Sequence, residues 1–151
     1  MRRMTPRLHL VGLVCALAIG VLACNEKSGA DKFVGSWIYA GAIDPNCMNI
    51  APIDLTGDTV KITSTDSSHI RVDLAGYCNV ACDVDGFTAS ASGGQSCSFP
   101  IPGLGTQSIT ITSWTLTKTG DDVLTSDFNG SILGCFPSGT GTLTRQGDAG
   151  G

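Results

Sequence analysis

The chain has 151 residues, with 9 Lys+Arg, 13 Asp+Glu, 20 Gly and 7 Cys. That length suits one domain and is too short for two full cores. Charged residues make up 15% and hydrophobic residues 42%, which excludes a disordered chain. The formal charge of −4 excludes nucleic acid as a partner, because nothing here neutralises a run of phosphates.

At the N-terminus Arg2, Arg3 and Arg7 precede an uninterrupted apolar or small-residue run from Leu10 to Ala23. A membrane-spanning helix needs roughly 18–20 apolar residues. This shorter run has the length of a signal-peptide h-region, so residues 1–23 are read as a cleaved signal peptide. Its end, Val21-Leu22-Ala23-Cys24, resembles the lipobox of bacterial lipoproteins. The resemblance implies that the Cys24 sulfur carries a diacylglyceryl group, that cleavage occurs before Cys24, and that the new amine is acylated. It makes the membrane a partner through the N-terminal lipid. The residue after the cysteine is Asn25 rather than Asp, which by the same resemblance points to the outer membrane. Cleavage there leaves 6 Lys+Arg against 13 Asp+Glu, a formal charge of −7.

Residues 24–32 are polar around Gly29 and read as a lipid-anchored tether; residues 146–151 read as a disordered tail. Residues 33–145 between them form the predicted domain. They contain short runs rich in Thr, Val and Ile, punctuated by Gly, Asn, Asp and Ser, with no helical period. Predicted strands are Phe33–Ala42, Asp58–Thr65, Ser68–Ala75, Val80–Val84, Phe87–Ala91, Ser96–Ile101, Thr106–Lys118, Val123–Phe128, Ser131–Gly134 and Gly141–Arg145. Asp85-Gly86 and Asn129-Gly130 are hairpin signals, because a type I′ turn needs positive φ at both central positions. Gly93-Gly94 and Thr119–Asp121 read as further turns. A change of apolar phase from Ile109/Ile111 to Trp114/Leu116 predicts a bulge near Thr112-Ser113. Short connections favour an antiparallel meander, and edge protection favours closing it. The fold class is therefore all-β, an antiparallel meander closing into a small up-and-down barrel, with a β-sandwich as the alternative.

Phe33-Val34-Gly35-Ser36-Trp37 opens the first strand. It resembles the Gly-x-Trp motif of lipocalin-like and fatty-acid-binding-like barrels. By that resemblance Trp37 plugs one barrel end and Gly35 permits a close approach of the chain.

Chemistry is sparse. After cleavage the chain keeps one His, His69, and one Glu, Glu26. Asp66, Ser68 and His69 lie along one turn, whereas a catalytic triad needs groups converging from separate elements. Asp83/Asp85 and Asp121/Asp122 sit at predicted turns, where Asp serves the backbone. No enzyme activity, metal site or cofactor is expected. Cys78-x-x-x-Cys82 with Cys97 reads as disulfide chemistry rather than zinc, since exported thiols oxidise. The five mature thiols besides Cys24 are Cys47, Cys78, Cys82, Cys97 and Cys135. Turn counting pairs Cys97 with Cys135, and Cys47 with Cys78 or Cys82.

Two functions fit this reading. One is a non-catalytic binding module holding an apolar or amphipathic small molecule, which requires a cavity of about 300 Å³ or more. The other is an envelope structural or protein-interaction module, inhibitor-like or an assembly accessory, with an exposed apolar patch and an unknown protein partner. Tyr39, Phe99 and Phe136 are the patch candidates.

Overall fold

The computed structural model describes residues 29–47 and 49–147. The predicted signal peptide and Cys24 lie outside the described residues. Ten strands follow a short 3-10 turn at Ala30–Lys32: β1 Gly35–Asp44, β2 Ile53–Asp54, β3 Thr59–Ser64, β4 His69–Leu74, β5 Cys78–Asp85, β6 Thr88–Ala91, β7 Ser96–Ile101, β8 Gly105–Gly120, β9 Val123–Ser131 and β10 Ser138–Arg145. Every strand pairing is antiparallel. The sheet order β10-β9-β8-β6-β5-β4-β3-β1 closes on itself through β1 and β10, while β2 and β7 lie off that ring. The closing register runs from Trp37↔Arg145 to Asp44↔Ser138. The fold is a closed barrel, and the sandwich alternative falls away.

Alternation decides which side chains go inside. In β3 and β4, Val60, Ile62, Ile70, Val72 and Leu74 are buried, and Lys61, Thr63, His69 and Arg71 between them are exposed. This is the period-two pattern of a strand with one wet face. The predicted bulge is present: the β8–β9 register shifts between Ile111 and Ser113. It lets Ile109, Ile111, Trp114 and Leu116 all reach the core.

The chain path differs from the expected meander in two places. Gly93-Gly94 does not reverse the chain. Along β8, β6 pairs with residues 114–117 and β7 with residues 105–110, so both run in one direction. They share the space between β5 and β8, separated by residues 92–95. The Gln95 side chain stands in for a strand residue there, accepting from Ala81 N–H and donating to Ala81 O, both at 2.8 Å.

Asn129-Gly130 is also no turn. It lies within β9, where Asn129 opposes Ser113 and Ser138. Gly130 passes so close to Ile109 that a β-carbon would collide with it. The chain reverses instead at Leu133-Gly134, where φ is 46° and 81°. Ile132 and Cys135 exchange both main-chain hydrogen bonds across this turn, at 3.0 and 2.7 Å. Of the predicted strand Ser131–Gly134, Ser131 ends β9 and the rest leads through the turn at Leu133-Gly134.

These two differences correct the disulfides. The bonds are Cys47–Cys135 and Cys78–Cys97, and Cys82 is free and buried. Barrel closure sets the loop after β1 beside the loop before β10, which brings Cys47 to Cys135. The uninterrupted direction of β6 and β7 places Cys97 beside the start of β5, where Ser98 N–H donates to Tyr77 O at 2.8 Å. Cys97 thus meets Cys78, and the expected bonds of Cys97 with Cys135 and of Cys47 with Cys78 or Cys82 do not form.

The residues that flank the barrel strands are packed as well. Ala30 and Phe33 are fully buried, and Ala30 N–H donates to Ser67 O at 3.1 Å. The packed domain therefore begins before Phe33. At the other end Gln146 N–H donates to Ser36 O at 2.9 Å.

Candidate functional site

Both described chain ends lie at one end of the barrel, together with the β3–β4, β5–β6 and β8–β9 turns. Trp37 is fully buried there, and its Nε1–H donates to Phe33 O at 2.9 Å. The Arg145 guanidinium lies over the Trp37 ring, with Cζ 4.2 Å from the centroid. It also donates to Val34 O at 2.6 Å and to Lys32 O at 3.4 Å, and pairs with Asp122 at 3.3 Å. Gly35 has φ of 146°, and a β-carbon there would strike Arg145. Gly35 and Trp37 thus form a closing latch at this barrel end. Arg145 is the partner that sequence reasoning missed. It lies 108 positions from Trp37, and only barrel closure reveals the pairing.

The barrel interior is filled. Phe33, Trp37, Tyr39, Phe99, Trp114 and Phe128 project into one continuous buried cluster with the aliphatic side chains. Tyr39 and Phe99, read as surface candidates, are 2% and 0% exposed. The polar atoms of this interior satisfy one another. Trp114 Nε1–H donates to Ser126 Oγ at 2.9 Å, and Ser126 also bonds Tyr39. Burial raises the Tyr39 phenol pKa, against the pull of that Ser126 bond. Tyr39 on β1 reaches β9 by passing over Gly141 of β10, whose missing side chain leaves the space.

His69 is held by carboxylates. Its Nδ1 lies 2.7 Å from both Asp66 oxygens, and its Nε2 lies 3.3 Å from Asp83 Oδ1. Ser68 Oγ also approaches Nδ1, at 3.2 Å. A serine nucleophile needs one ring nitrogen while the acid holds the other. Here Ser68 and Asp66 compete for the same nitrogen, and Asp83 has the second. Asp66 first, by hydrogen bond and then by charge, and Asp83 more weakly raise the His69 pKa above 6.5. The group is a solvent-exposed clamp on the β3–β4 turn. Of the other carboxylates, Asp85 ends β5, and Asp121-Asp122 make the β8–β9 turn. Among the described residues no group of three or more side chains is arranged to hold a metal ion. Burial pushes the Cys82 thiol up to about 12, so it is inert as a nucleophile at neutral pH.

The opposite barrel end is built differently. The Cys47–Cys135 bond ties its two loops together. Asn46 Nδ2 adds donations to Phe136 O at 2.8 Å and Ser138 Oγ at 2.9 Å. On this braced loop Leu133 is 82% exposed and Phe136 71%. Beside it an open groove of about 400 Å³ separates Ser131–Phe136 from Gln107, Ser108 and Thr110 of β8. Two other open concavities, of about 630 and 510 Å³, lie on the outer wall along β9, β10 and β1 and share Asp127 and Thr140.

No family model matches the chain, and no curated protein matches it. Two solved structures are similar in shape. One is a redesigned β-barrel, b11L5F_LGL, at TM-score 0.48 and 14% identity, covering 81% of this chain and 98% of that one. The other is EF1p2_mFAP2b bound to DFHBI, at TM-score 0.45 and 13% identity, covering 80% and 98%. The barrel assignment rests on the strand pairings described above.

Proposed function

We propose that this chain is an exported envelope protein, anchored through lipid on Cys24 in the outer membrane, whose filled barrel is a rigid, non-catalytic module for engaging another polypeptide. The observation that carries the reading is the Leu133 turn. A bulky residue with φ of 46° sits where glycine or asparagine is preferred, and it is 82% exposed. Its conformation is strained and its side chain gains no burial within the fold, yet a disulfide and the Asn46 side chain hold the loop in place. Such an arrangement suits recognition at the barrel end remote from the anchor. A small apolar ligand held inside the barrel is disfavoured, because aromatic and aliphatic side chains occupy the interior.

The test is a photo-cross-linking residue at position 133 or 136 in the producing cell, with position 125 on the outer wall as control. Discrete protein adducts at 133 and 136, absent at 125, are expected. A stoichiometric small molecule in the native mass spectrum of the purified protein, with no adduct at either position, would restore the ligand-binding alternative. The anchor is tested separately: Cys24→Ser should block lipoprotein processing or yield unanchored protein. Recovery of soluble, unacylated wild-type chain starting at Cys24 would remove the lipid from the proposal.

A further inference from the structure

The two disulfides sit in different surroundings. Cys78 and Cys97 are 7% and 1% exposed, and the main chain beside them is joined by the Ser98 N–H bond to Tyr77 O. Tyr77, next to Cys78, packs its ring against Phe99 with centroids 5.1 Å apart. Cys47 and Cys135 are only partly buried, and Cys135 lines the open groove beside β8. Thiol–disulfide exchange requires a thiolate to reach a sulfur atom, so access separates a sealed bond from a reducible one.

The accessible bond also lies outside the pairing that closes the barrel. The β1–β10 register ends at Asp44↔Ser138, before either cysteine of that bond is reached. Beyond it the two loops are held to each other by the disulfide and by Asn46, whose Nδ2 donates to Phe136 O. The segment so held includes Leu133, with φ of 46°, and the exposed Phe136. A bulky residue in that conformation and two apolar side chains in water add nothing that fixes the loop in place.

Resting on the interaction-module reading above, we infer that the Cys47–Cys135 bond is a redox switch on the recognition loop: an external dithiol opens it and frees residues 132–137 while the barrel stays closed. A thiolate of the dithiol attacks one sulfur of the bond, and the other sulfur leaves as a thiolate and takes a proton. The second thiol of the dithiol gives up its proton and attacks the mixed disulfide, which returns the first cysteine as a thiol. The protein pair gains two electrons and two protons, and the dithiol becomes a disulfide. Reversal restores the same bond. Cys78 and Cys97 are bonded to each other in the core, and Cys82 is buried with its thiol pushed up to about 12. Neither offers a thiolate to the opened pair.

The test uses the purified full chain in mild detergent, with dithiothreitol as the dithiol and no denaturant. Timed alkylation and peptide mapping should find Cys47 and Cys135 reduced about a hundredfold faster than Cys78 and Cys97, because the sealed bond is reached only by opening the core. Hydrogen exchange over residues 132–137 should then rise about tenfold, with the β1 and β10 segments unchanged. The Cys47→Ser/Cys135→Ser variant should match the reduced chain in both regions, and reoxidation of the reduced chain should re-form Cys47–Cys135. Equal reduction rates for the two bonds overturn the inference. Faster exchange across β1 and β10, an unchanged loop, or reoxidised protein with Cys82 in a disulfide overturns it as well. These readouts involve no partner, so their failure is distinct from an absence of cross-linked adducts at positions 133 and 136, which would remove the interaction-module reading instead.

Discussion

Trp37 and Arg145 show how little of a barrel end is decided by neighbours in sequence. The indole is covered by a guanidinium from the last strand, which also donates to two carbonyls of the entering chain. Trp37→Ala removes a fully buried ring from this latch and is expected to cost about 3–5 kcal/mol in denaturant unfolding. A loss under about 1 kcal/mol would mean that the barrel end collapses onto the gap. The His69 clamp has a pH signature. Asp66 and Asp83 raise the His69 pKa, so its stabilising contribution is fully present below the unfolded value near 6.5 and fades as pH rises through the folded value. Asp66 is shifted the other way, first by its bond from Ser68 N–H and then by His69, so its contribution is lost as pH falls through its lowered folded pKa. The pair therefore acts between those two pH values. The His69 ring proton should titrate above 6.5 by NMR, and Asp66→Asn should bring the midpoint down. An unchanged midpoint would assign the shift to another group.

At the scale of elements, glycine has two different uses here. Gly134 is a turn residue at φ 81° with open space around it. Gly141 sits inside a strand because the Tyr39 ring lies across it on the way to Ser126. Gly141→Ala must push that ring aside and break its reach to β9. The expected cost is about 1–3 kcal/mol, the usual range for an overpacked site. A neutral thermal melt would show that Tyr39 has a second rotamer available. The same distinction explains the misread hairpin. Asn-Gly is a turn signal when only local conformation is considered. At Asn129-Gly130 the missing side chain serves close packing against Ile109, and the reversal passes to Leu133-Gly134.

For the molecule as a whole, the two disulfides close loops of very different length, with sequence separations of 88 and 19. The chain-entropy account assigns about 4–5 kcal/mol to the longer and about 3 kcal/mol to the shorter. The Cys47→Ser/Cys135→Ser variant should therefore lose more stability than Cys78→Ser/Cys97→Ser, and a reversed order in denaturant melts would locate the larger effect in the native state. Tryptic mapping without reduction checks the connectivity directly. Phe33–Lys61 should run joined to Thr119–Arg145, with Val72–Lys118 separate and closed internally. One species containing all three peptides would contradict it.

The all-β class, most strand positions, the bulge after Ile111 and the burial of Trp37 are legible in the sequence. The first three follow from a period of two, a turn residue or an apolar run within a few positions, and the burial of Trp37 is what the resemblance of Gly35-Ser36-Trp37 to the Gly-x-Trp motif implies. The disulfide partners, the Arg145 latch and the buried places of Tyr39 and Phe99 are not legible there. Each depends on whether the chain reverses or continues at a glycine pair, and on which strands meet when the sheet closes. Gly93-Gly94 and Asn129-Gly130 satisfy the local requirements of a turn equally well in either case. The choice is made by long-range terms: the cross-strand hydrogen bonds of β1 with β10, the filling of the interior by aromatic rings, and the close approach of Gly130 to Ile109. Those energies exist only once segments distant in sequence are in contact.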